Sequence, residues 1–375
     1  MHMVQVFFFW RQAMKYGETV EVSRAVRNHF GLTAKGREDP VVRKWLRDTD
    51  PRCLIVLLID AMGTSILEKH LDKDDFFRRN TVKSIAAVFP PTTTASVTSI
   101  VTGKYPCETA WMGWNQYFPE IDDNVIMFLG KSMYGYKEYG SYPEEMFPAE
   151  YQFETMRKMG IKADSVWPRW GEAHPSETIE EMAENILKLA DDPEMEYIYA
   201  YWDEFDSLLH RIGPSAAEAG SELRHIQSVI EHMTERLPED CALMVIADHS
   251  QIDITTRRLD EDSEICEMLE HDPALEPRTI AFYVRPEYRE RFPEVFTERY
   301  GDIYRLYSKE EVLKKHLFGE GPENPGYAQF IGDFLAVAYT PVTLCWKRPG
   351  GKGDHAGGME EEAYVPLILI PYVES

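Results

Sequence analysis

Three strongly apolar runs in the sequence each lead into an aspartate. CLIVLLI is followed by Asp60, ALMVIA is followed by Asp248, and YIYAYWDEF is followed by Asp206. Runs of this composition, separated by amphipathic segments, predict buried strands of a mostly parallel sheet with helices on both faces. In an open α/β sheet, ligands bind beyond the carboxyl ends of the strands, where loops are free to carry chemistry. The three aspartates therefore mark the predicted functional edge of the sheet.

The same alternation of strand and helix patterns extends over most of the chain. Strands are predicted near residues 53–59, 82–88, 197–201, 241–247, 279–284, 335–346 and 364–370. Residues 1–50 are polar and helix-like, and they are predicted to form a mostly helical extension that packs on the core. Residues 51–375 are predicted to form one catalytic domain. It has lid-like loops around 111–151 and room for an inserted element within 251–333.

The charge balance excludes some classes of partner. The 375 residues include 64 acidic and 40 basic side chains, giving a net charge of −24. This opposes binding to nucleic-acid polymers and anionic membranes, which requires clustered Lys and Arg. Five widely spaced cysteines without a CxxC pattern favour a reducing compartment, and no run approaches the roughly 18 apolar residues of a membrane span. The sequence predicts a cytoplasmic protein that acts on a small molecule.

Histidines accompany the aspartates in patterns that suit metal binding. Asp248 and His249 are adjacent, and the four-residue step from Asp206 to His210 puts both side chains on one side of a helical turn. Each pattern alone also fits a helix cap or a surface pair, but together they supply ligands for two ions such as Zn²⁺ or Mn²⁺. The candidate ligands are Asp60, Asp206, His210, Asp248, His249 and His355. The set predicts a hydrolase with two metal ions.

Three consecutive threonines offer a nucleophile. Thr92, Thr93 and Thr94 follow FPP and precede an apolar segment that is predicted to be helical up to Gly103. The positive end of a helix dipole favours an alkoxide and a phosphoryl oxygen, and a bound metal lowers the pKa of a hydroxyl. The alternative is that Thr92 caps the helix while its neighbours pack.

Five segments in fixed order resemble the alkaline phosphatase superfamily, in particular its nucleotide pyrophosphatase/phosphodiesterase branch. They are LLIDAMG, FPPTTTASVTSIVTGKYP, DSLLHRIGP, IADHS and GDHAGG, and the resemblance covers about residues 53–371. It implies an alkaline-phosphatase-like α/β fold. It also implies that Thr93 is the nucleophile, because Thr93 lies three residues after the proline of FP and ten before the glycine of TG.

The resemblance further implies how the ligands are shared between two divalent ions, Zn²⁺ in the first place and Mn²⁺ as the alternative. It assigns Asp60, Thr93, Asp248 and His249 to one ion, and Asp206, His210 and His355 to the other. Asp206 is preferred over Asp203, because only Asp206 keeps the four-residue step to a histidine followed by Gly-Pro. Asp354 is not expected to be a ligand.

One position departs from the family pattern. The phosphate-binding asparagine of the family falls on Trp114, and the nearest asparagine is Asn115. Trp114 and Tyr117 could stack on a base or an apolar leaving group, or they could pack beneath the lid-like loops. Asn115, Trp114 and Tyr117 are therefore the predicted substrate-binding residues.

These features predict a metal-dependent hydrolase of phosphodiester or pyrophosphate bonds in small molecules such as nucleotides. A phosphomonoesterase, a phosphonate hydrolase and a phosphomutase on the same scaffold are the alternatives. A catalytically silent binding protein is a further one, although it would not need the complete ligand set. Sulfatase activity is disfavoured, because the Cys or Ser of a C/S-x-P-x-R motif is missing. Diesters are expected to be preferred to monoesters, since few basic residues flank the motifs.

Overall fold

The computed structural model describes residues 16–371, and a seven-stranded sheet forms its centre. Strands are numbered β1 to β18 along the chain. Those of the central sheet are β1 (Cys53–Ile59), β2 (Thr81–Ala86), β6 (Ala163–Pro168), β7 (Pro175–Ser176), β8 (Tyr197–Trp202), β9 (Cys241–Ile246) and β18 (Tyr364–Ile370). Their order is β2-β18-β9-β1-β8-β6-β7. Only β18 runs antiparallel to its neighbours, which confirms the predicted mostly parallel sheet.

Fifteen α-helices accompany the sheets within residues 16–371. They are Glu18–His29, Pro40–Thr49, Thr64–His70, Phe76–Arg79, Thr93–Thr102, Pro106–Thr109, Tyr142–Met146, Gln152–Lys158, Ile179–Ala190, Glu204–Ile212, Ala217–Thr234, Ser263–Met268, Phe292–Tyr300, Lys309–Lys315 and Glu360–Ala363. The Ile179–Ala190 helix shows the local signals that begin a helix and bury its apolar face. The Thr178 side chain accepts a hydrogen bond from the amide of Glu181 (3.2 Å), and Met182 and Ile186 are buried.

A second seven-stranded sheet, entirely antiparallel, was not foreseen from the sequence. Its order is β14-β15-β13-β12-β3-β4-β5. Its strands are β3 (Asn115–Phe118), β4 (Asp123–Ile126), β5 (Lys131–Ser132), β12 (Ala274–Glu276), β13 (Thr279–Phe282), β14 (Tyr304–Ser308) and β15 (Phe334–Ala338). Residues 111–151, expected as lid-like loops, thus supply three of its strands. Strands of two to five residues are too short to show periodicity, and β3 finds its partner β12 about 160 residues later in the chain.

The segment 335–346 is also not the single strand that was predicted. β15 belongs to the antiparallel sheet, whereas β16 (Val342–Cys345) pairs with β11 (Thr255–Arg258). Pro341 lies between them and lacks the N–H that a continuous ladder requires. A further short pair joins β10 (Ile252–Asp253) to β17 (Gly353–Asp354).

The N-terminal helices pack on the main core. The Ser23 hydroxyl donates to the Ile100 carbonyl (2.5 Å), and the Pro40–Thr49 helix buries Trp45 and Leu46 in the central hydrophobic cluster. Residues 1–15 of the predicted helical extension lie outside the described residues. Among the residues described, no helix has the length and apolarity needed to cross a membrane.

A fully buried ion pair ties the two sheets together. Arg278, between β12 and β13, binds Glu362, just before β18, through Nε–Oε1 (2.6 Å) and Nη2–Oε2 (2.8 Å). Arg278 also donates to the carbonyls of Thr340 and Val342, at 3.0 and 3.1 Å. Bidentate geometry and these additional bonds compensate the desolvation of both charges.

Replacing Arg278 with Met should lower the free energy of unfolding by about 3–5 kcal/mol, because Glu362 would remain as a buried charge without its partner. Urea unfolding followed by circular dichroism measures the change. Asp48→Asn is the control, since the Asp48 side chain is about half exposed and its ion pairs with Lys44 (3.2 Å) and Arg47 (2.8 Å) lie at the surface. An Arg278→Met midpoint equal to that of the control would contradict the assigned role.

Candidate functional site

Three neighbouring parallel strands deliver the aspartates to one edge of the central sheet. Asp248 lies beyond β9, Asp60 follows β1 directly, and Asp206 lies in the first turn of the Glu204–Ile212 helix after β8. Because β9, β1 and β8 are adjacent and parallel, their carboxyl ends meet at the same edge. The structure therefore brings together the three carboxylates that the apolar runs predicted.

Thr93 and His355 reach the same edge from other elements. Thr93 begins the helix that follows β2, and His355 precedes β18, whose reversed direction puts its amino end at this edge. The Thr93 hydroxyl lies 3.1 Å from Nε2 of His249. The His355 ring stacks on the His249 ring with 3.8 Å between centroids. His210 is next to them, with its ring centroid 5.2 Å from that of His355.

Asp60, Asp248 and His249 form a buried group whose ligand atoms lie within 4.8 Å of one another. Nε2 of His249 is 3.3 Å from Oδ1 of Asp60 and 3.3 Å from Oδ2 of Asp248. These two carboxylate oxygens have no hydrogen-bond partner. The other oxygens are held, by the Tyr201 hydroxyl at Asp60 and by the Ala61 amide at Asp248 (3.2 Å). Unpartnered buried oxygens converging on an imidazole nitrogen fit a divalent cation.

Burial shifts the titration of this group. Desolvation raises the pKa of Asp60 well above its ordinary value, and the nearby Asp248 charge raises it further. Burial also raises the pKa of Asp248 to about 6 and lowers that of His249 to about 4. His249 is therefore neutral near pH 7, and its short contacts with the two aspartates are not ion pairs. A bound cation would favour the ionised carboxylates that burial disfavours.

The three histidines share one arrangement that suits metal binding. In each, Nδ1 faces a backbone carbonyl: that of Ser250 for His249 (3.2 Å), Gly353 for His210 (3.0 Å) and Pro91 for His355 (3.2 Å). Donation from Nδ1 fixes the tautomer and leaves the lone pair on Nε2. Each imidazole thus presents Nε2 as a ligand atom.

The remaining ligand atoms overlap around His355. They fall into two groups, Asp206 with His249 and His355, and His210 with Asp354 and His355. Asp354 was not expected to be a ligand. Its oxygens accept hydrogen bonds from the His355 amide (2.9 Å) and the Thr343 hydroxyl (3.0 Å), yet it lies among the candidate ligands.

Asp203 is absent from these groups, and its Oδ2 accepts from the Trp170 indole (2.7 Å). This favours Asp206, whose Oδ2 lies 3.5 Å from Nε2 of His210.

Glycines bring the His355 loop close to the Glu204–Ile212 helix. A Cβ on Gly351 would lie 2.2 Å from the His210 carbonyl oxygen, and one on Gly353 would lie 2.5 Å from that of Leu209. The glycines before His355 therefore permit a close approach of the two backbones.

The start of the Thr93–Thr102 helix is not capped by a side chain. Thr92 occupies the N-cap position, but its hydroxyl donates to Oε1 of Glu276 and not to the helix. Thr92 therefore takes the N-cap position, as this alternative expects, but its side chain does not cap the helix. The Thr94 hydroxyl is buried and unpartnered, so among the three threonines only Thr93 directs its hydroxyl to the imidazole cluster.

A cavity of about 420 Å³ opens beside this cluster. Trp114 and Asn115, two of the predicted substrate-binding residues, line it together with Tyr134, Trp346 and Arg348. The Asn115 side chain donates to the Leu275 carbonyl (2.9 Å), which anchors it to the neighbouring strand.

The structure does not bring Tyr117 to this cavity. Its ring stacks on His271 at 4.3 Å, its hydroxyl donates to Asp122 (2.9 Å), and it lines a separate cavity of about 260 Å³. An extended strand rises about 3.3 Å per residue, so β3 carries Tyr117 roughly 10 Å beyond Trp114.

Three residues near the site were missed from the sequence. Tyr201 holds Asp60, and Gln251 donates to Oδ1 of Asp206 (2.5 Å). Glu276, at the end of β12, lines the cavity, and burial raises its pKa to about 7. Tyr201 could have been noticed as the aromatic residue next to the end of a buried strand. Glu276 gave no signal, because only the antiparallel sheet places it here.

Comparisons with known proteins give a matching family model and similar solved structures. A family model described as type I phosphodiesterase/nucleotide pyrophosphatase matches residues 54–356. A search of curated protein sequences gives no match.

Solved structures of two proteins illustrate the shared fold. Murine ectonucleotide pyrophosphatase/phosphodiesterase 5 has a TM-score of 0.66 at 16% identity, with 84% of this chain and 87% of that chain covered. An inactive variant of that protein in complex with AMP gives the same values. Phosphonoacetate hydrolase from Sinorhizobium meliloti 1021, in complex with phosphonoacetate, has a TM-score of 0.64 at 15% identity, with 92% and 94% covered. At these identities the likeness establishes the fold.

Tyr201→Phe should weaken metal binding by about 10- to 100-fold, because Asp60 would lose the donor that orients it. Competition for Zn²⁺ against a chromophoric chelator measures the affinity. Tyr199→Phe is a matched control, since Tyr199 is buried in the same strand and its hydroxyl has no hydrogen-bond partner. Equal Zn²⁺ affinities for the two variants would refute the orienting role.

Proposed function

Because the chain belongs to the type I phosphodiesterase/nucleotide pyrophosphatase family, we propose that it hydrolyses phosphodiester or pyrophosphate bonds of small molecules such as nucleotides. The matched segment covers most of the chain, which confirms the resemblance to this branch of the alkaline phosphatase superfamily. The observation that carries the proposal is the Thr93 hydroxyl at a helix start, 3.1 Å from His249 Nε2, among carboxylate and imidazole ligands.

Thr93 is the proposed nucleophile. Its hydroxyl attacks phosphorus in line, and the first amides of the Thr93–Thr102 helix favour the negative charge on the attacking and phosphoryl oxygens. The alcohol or phosphate on the far side of phosphorus leaves, and the phosphorus remains bound to the threonine oxygen. Water then cleaves this ester and regenerates Thr93.

The cluster suits two divalent ions, Zn²⁺ or Mn²⁺, held by Asp60, Thr93, Asp248 and His249 on one side and by Asp206, His210 and His355 on the other. When bound, such ions lower the pKa of the nucleophile and stabilise the leaving oxygen. The unpartnered buried oxygens of Asp60 and Asp248 support this assignment.

The cavity supports binding of an aromatic or apolar substituent. Trp114, with Tyr134 and Trp346 on the same cavity, offers a stacking face, and Asn115 lies beside it. Tyr117 has no part in this proposal. The five cysteines are free thiols, which supports the proposed cytoplasmic location.

Phosphonate hydrolysis is the second candidate. The similar fold of phosphonoacetate hydrolase motivates it, and Arg348 at the cavity could hold a second anionic group such as a carboxylate. Turnover of phosphonoacetate by the metal-loaded protein would favour it over the diesterase.

Thr93→Ala should reduce kcat by about 10⁴-fold or more, while metal content stays near that of the wild type, because carboxylates and imidazoles dominate metal affinity. Thr94→Ala is the matched control, as its hydroxyl in the same helix turn has no partner. Steady-state kinetics and elemental analysis measure both quantities. An active Thr93→Ala variant beside an inactive Thr94→Ala variant would move the nucleophile to another residue.

The metal-loaded protein should prefer a nitrophenyl nucleotide diester to nitrophenyl phosphate, since a diester carries one negative charge where a monoester carries nearly two. The ratio of the two kcat/KM values measures the preference, and a ratio below one would identify a phosphatase instead.

Chelation should abolish turnover and Zn²⁺ or Mn²⁺ should restore it. Full activity with one bound ion or none would exclude the two-metal assignment.

A further inference from the structure

Glu276 is a buried acid beside the proposed nucleophile. Its Oε1 accepts two hydrogen bonds, from the Thr92 hydroxyl and from the Trp114 backbone amide (2.6 Å). Thr92 adjoins Thr93, and both threonines line the 420 Å³ cavity together with Glu276. The carboxylate is thereby fixed next to the start of the nucleophile helix.

The second oxygen of the Glu276 carboxylate, Oε2, is available to a molecule bound in the cavity. Both hydrogen bonds end on Oε1, and within residues 16–371 Oε2 makes no hydrogen bond. No ion pair of the described residues includes Glu276. Its side chain thus presents an acceptor to the cavity, and above its raised pKa of about 7 it also presents a negative charge that forms no ion pair within the described residues.

The position of this charge bears on the phosphoryl group. Trp114 occupies the place where the family resemblance puts an asparagine that contacts phosphate. An amide there would donate a hydrogen bond to a phosphoryl oxygen. In this chain Trp114 has no side-chain amide to donate, and its backbone N–H places the Glu276 carboxylate beside this position, so an acceptor lies where the family has a donor.

We propose that Glu276 is a specificity-determining residue, which excludes substrates that carry a second negative charge on phosphorus and so selects phosphodiesters over monoesters and phosphonates. The proposal rests on the proposed phosphoester hydrolysis at Thr93. A diester presents one charged oxygen, which the ligand cluster can hold. The additional oxyanion of a monoester has to face the carboxylate, and like charges brought together in a partly desolvated site disfavour binding.

The competing role of Glu276 is to anchor Thr92 and Trp114. One substitution separates this role from the exclusion of a second negative charge. Glu276→Gln keeps a carbonyl oxygen that can accept both hydrogen bonds and removes only the charge. Glu276→Ala removes both. Glu270→Gln is the control for charge alone, because Glu270 lines the separate cavity that contains Tyr117.

The test compares bis(4-nitrophenyl) phosphate and 4-nitrophenyl phosphate as substrates of the Zn²⁺-loaded wild-type and variant proteins, at a pH above about 8 where carboxylates and monoesters are ionised. In Glu276→Gln the monoester-to-diester ratio of kcat/KM should rise by about 10-fold or more. The ratio should be unchanged in Glu270→Gln. An unchanged ratio in Glu276→Gln overturns the proposal and leaves anchoring as the role of this residue.

Calorimetric binding of inorganic phosphate gives a readout that does not need turnover. Phosphate should bind Zn²⁺-loaded Glu276→Gln about 10-fold more tightly than the wild type. If the wild type hydrolyses neither ester, the proposed function fails, and phosphate affinity still decides whether Glu276 excludes a dianion. Equal phosphate affinities overturn that exclusion.

Discussion

The site depends on a single buried ion pair between Arg278 and Glu362. Arg278 lies two residues after Glu276, and Glu362 accepts the Gly357 amide (2.7 Å) two residues after His355. This bidentate contact is one of the links between the antiparallel sheet, which carries Glu276, and the His355 loop before β18, together with the hydrogen bond from the Thr279 hydroxyl to the Ala356 carbonyl (2.5 Å). Neither sheet alone contains both walls of the cavity. Because a buried pair tolerates little distortion without losing its compensation, this link also limits how far the walls can move apart.

The ligand cluster differs from this ion pair, because its buried carboxylates carry charges of the same sign. Asp60 and Asp248 are buried beside each other, and each has an oxygen without a hydrogen-bond partner. Burial raises the pKa of both carboxyl groups, so the protein by itself disfavours the ionised forms that bind metal. Unfavourable burial of carboxylates is typical of functional sites. A bound cation would remove the penalty by supplying the missing positive charge. The histidines are arranged in the same way for metal binding, since a backbone carbonyl at Nδ1 fixes each tautomer and leaves the lone pair on Nε2.

What the sequence could predict followed from local and contiguous signals. The strands before Asp60 and Asp248 are long apolar runs buried from end to end, and their parallel pairing follows from alternation with helices. The antiparallel sheet could not be predicted, because its strands are short and pair across long separations. The prediction for Tyr117 was wrong for a related reason. Aromatic composition indicates that a stacking surface is present, but it does not show how far each aromatic residue lies from the site. Glu276 is one of 64 acidic side chains, and only the tertiary structure places it beside the site.

The charge balance of the assembled site then limits the substrates it can hold. Under the proposed function, two divalent ions are opposed by three ligand carboxylates, those of Asp60, Asp206 and Asp248, and a single net positive charge remains. A phosphodiester matches this charge with its one oxyanion. Glu276 adds a further negative charge at the cavity wall, fixed through Thr92 and Trp114 at the start of the nucleophile helix. A monoester would exceed the available positive charge even before it met Glu276. Under the two proposals, diester selectivity therefore arises from the ligand set and the Glu276 carboxylate together.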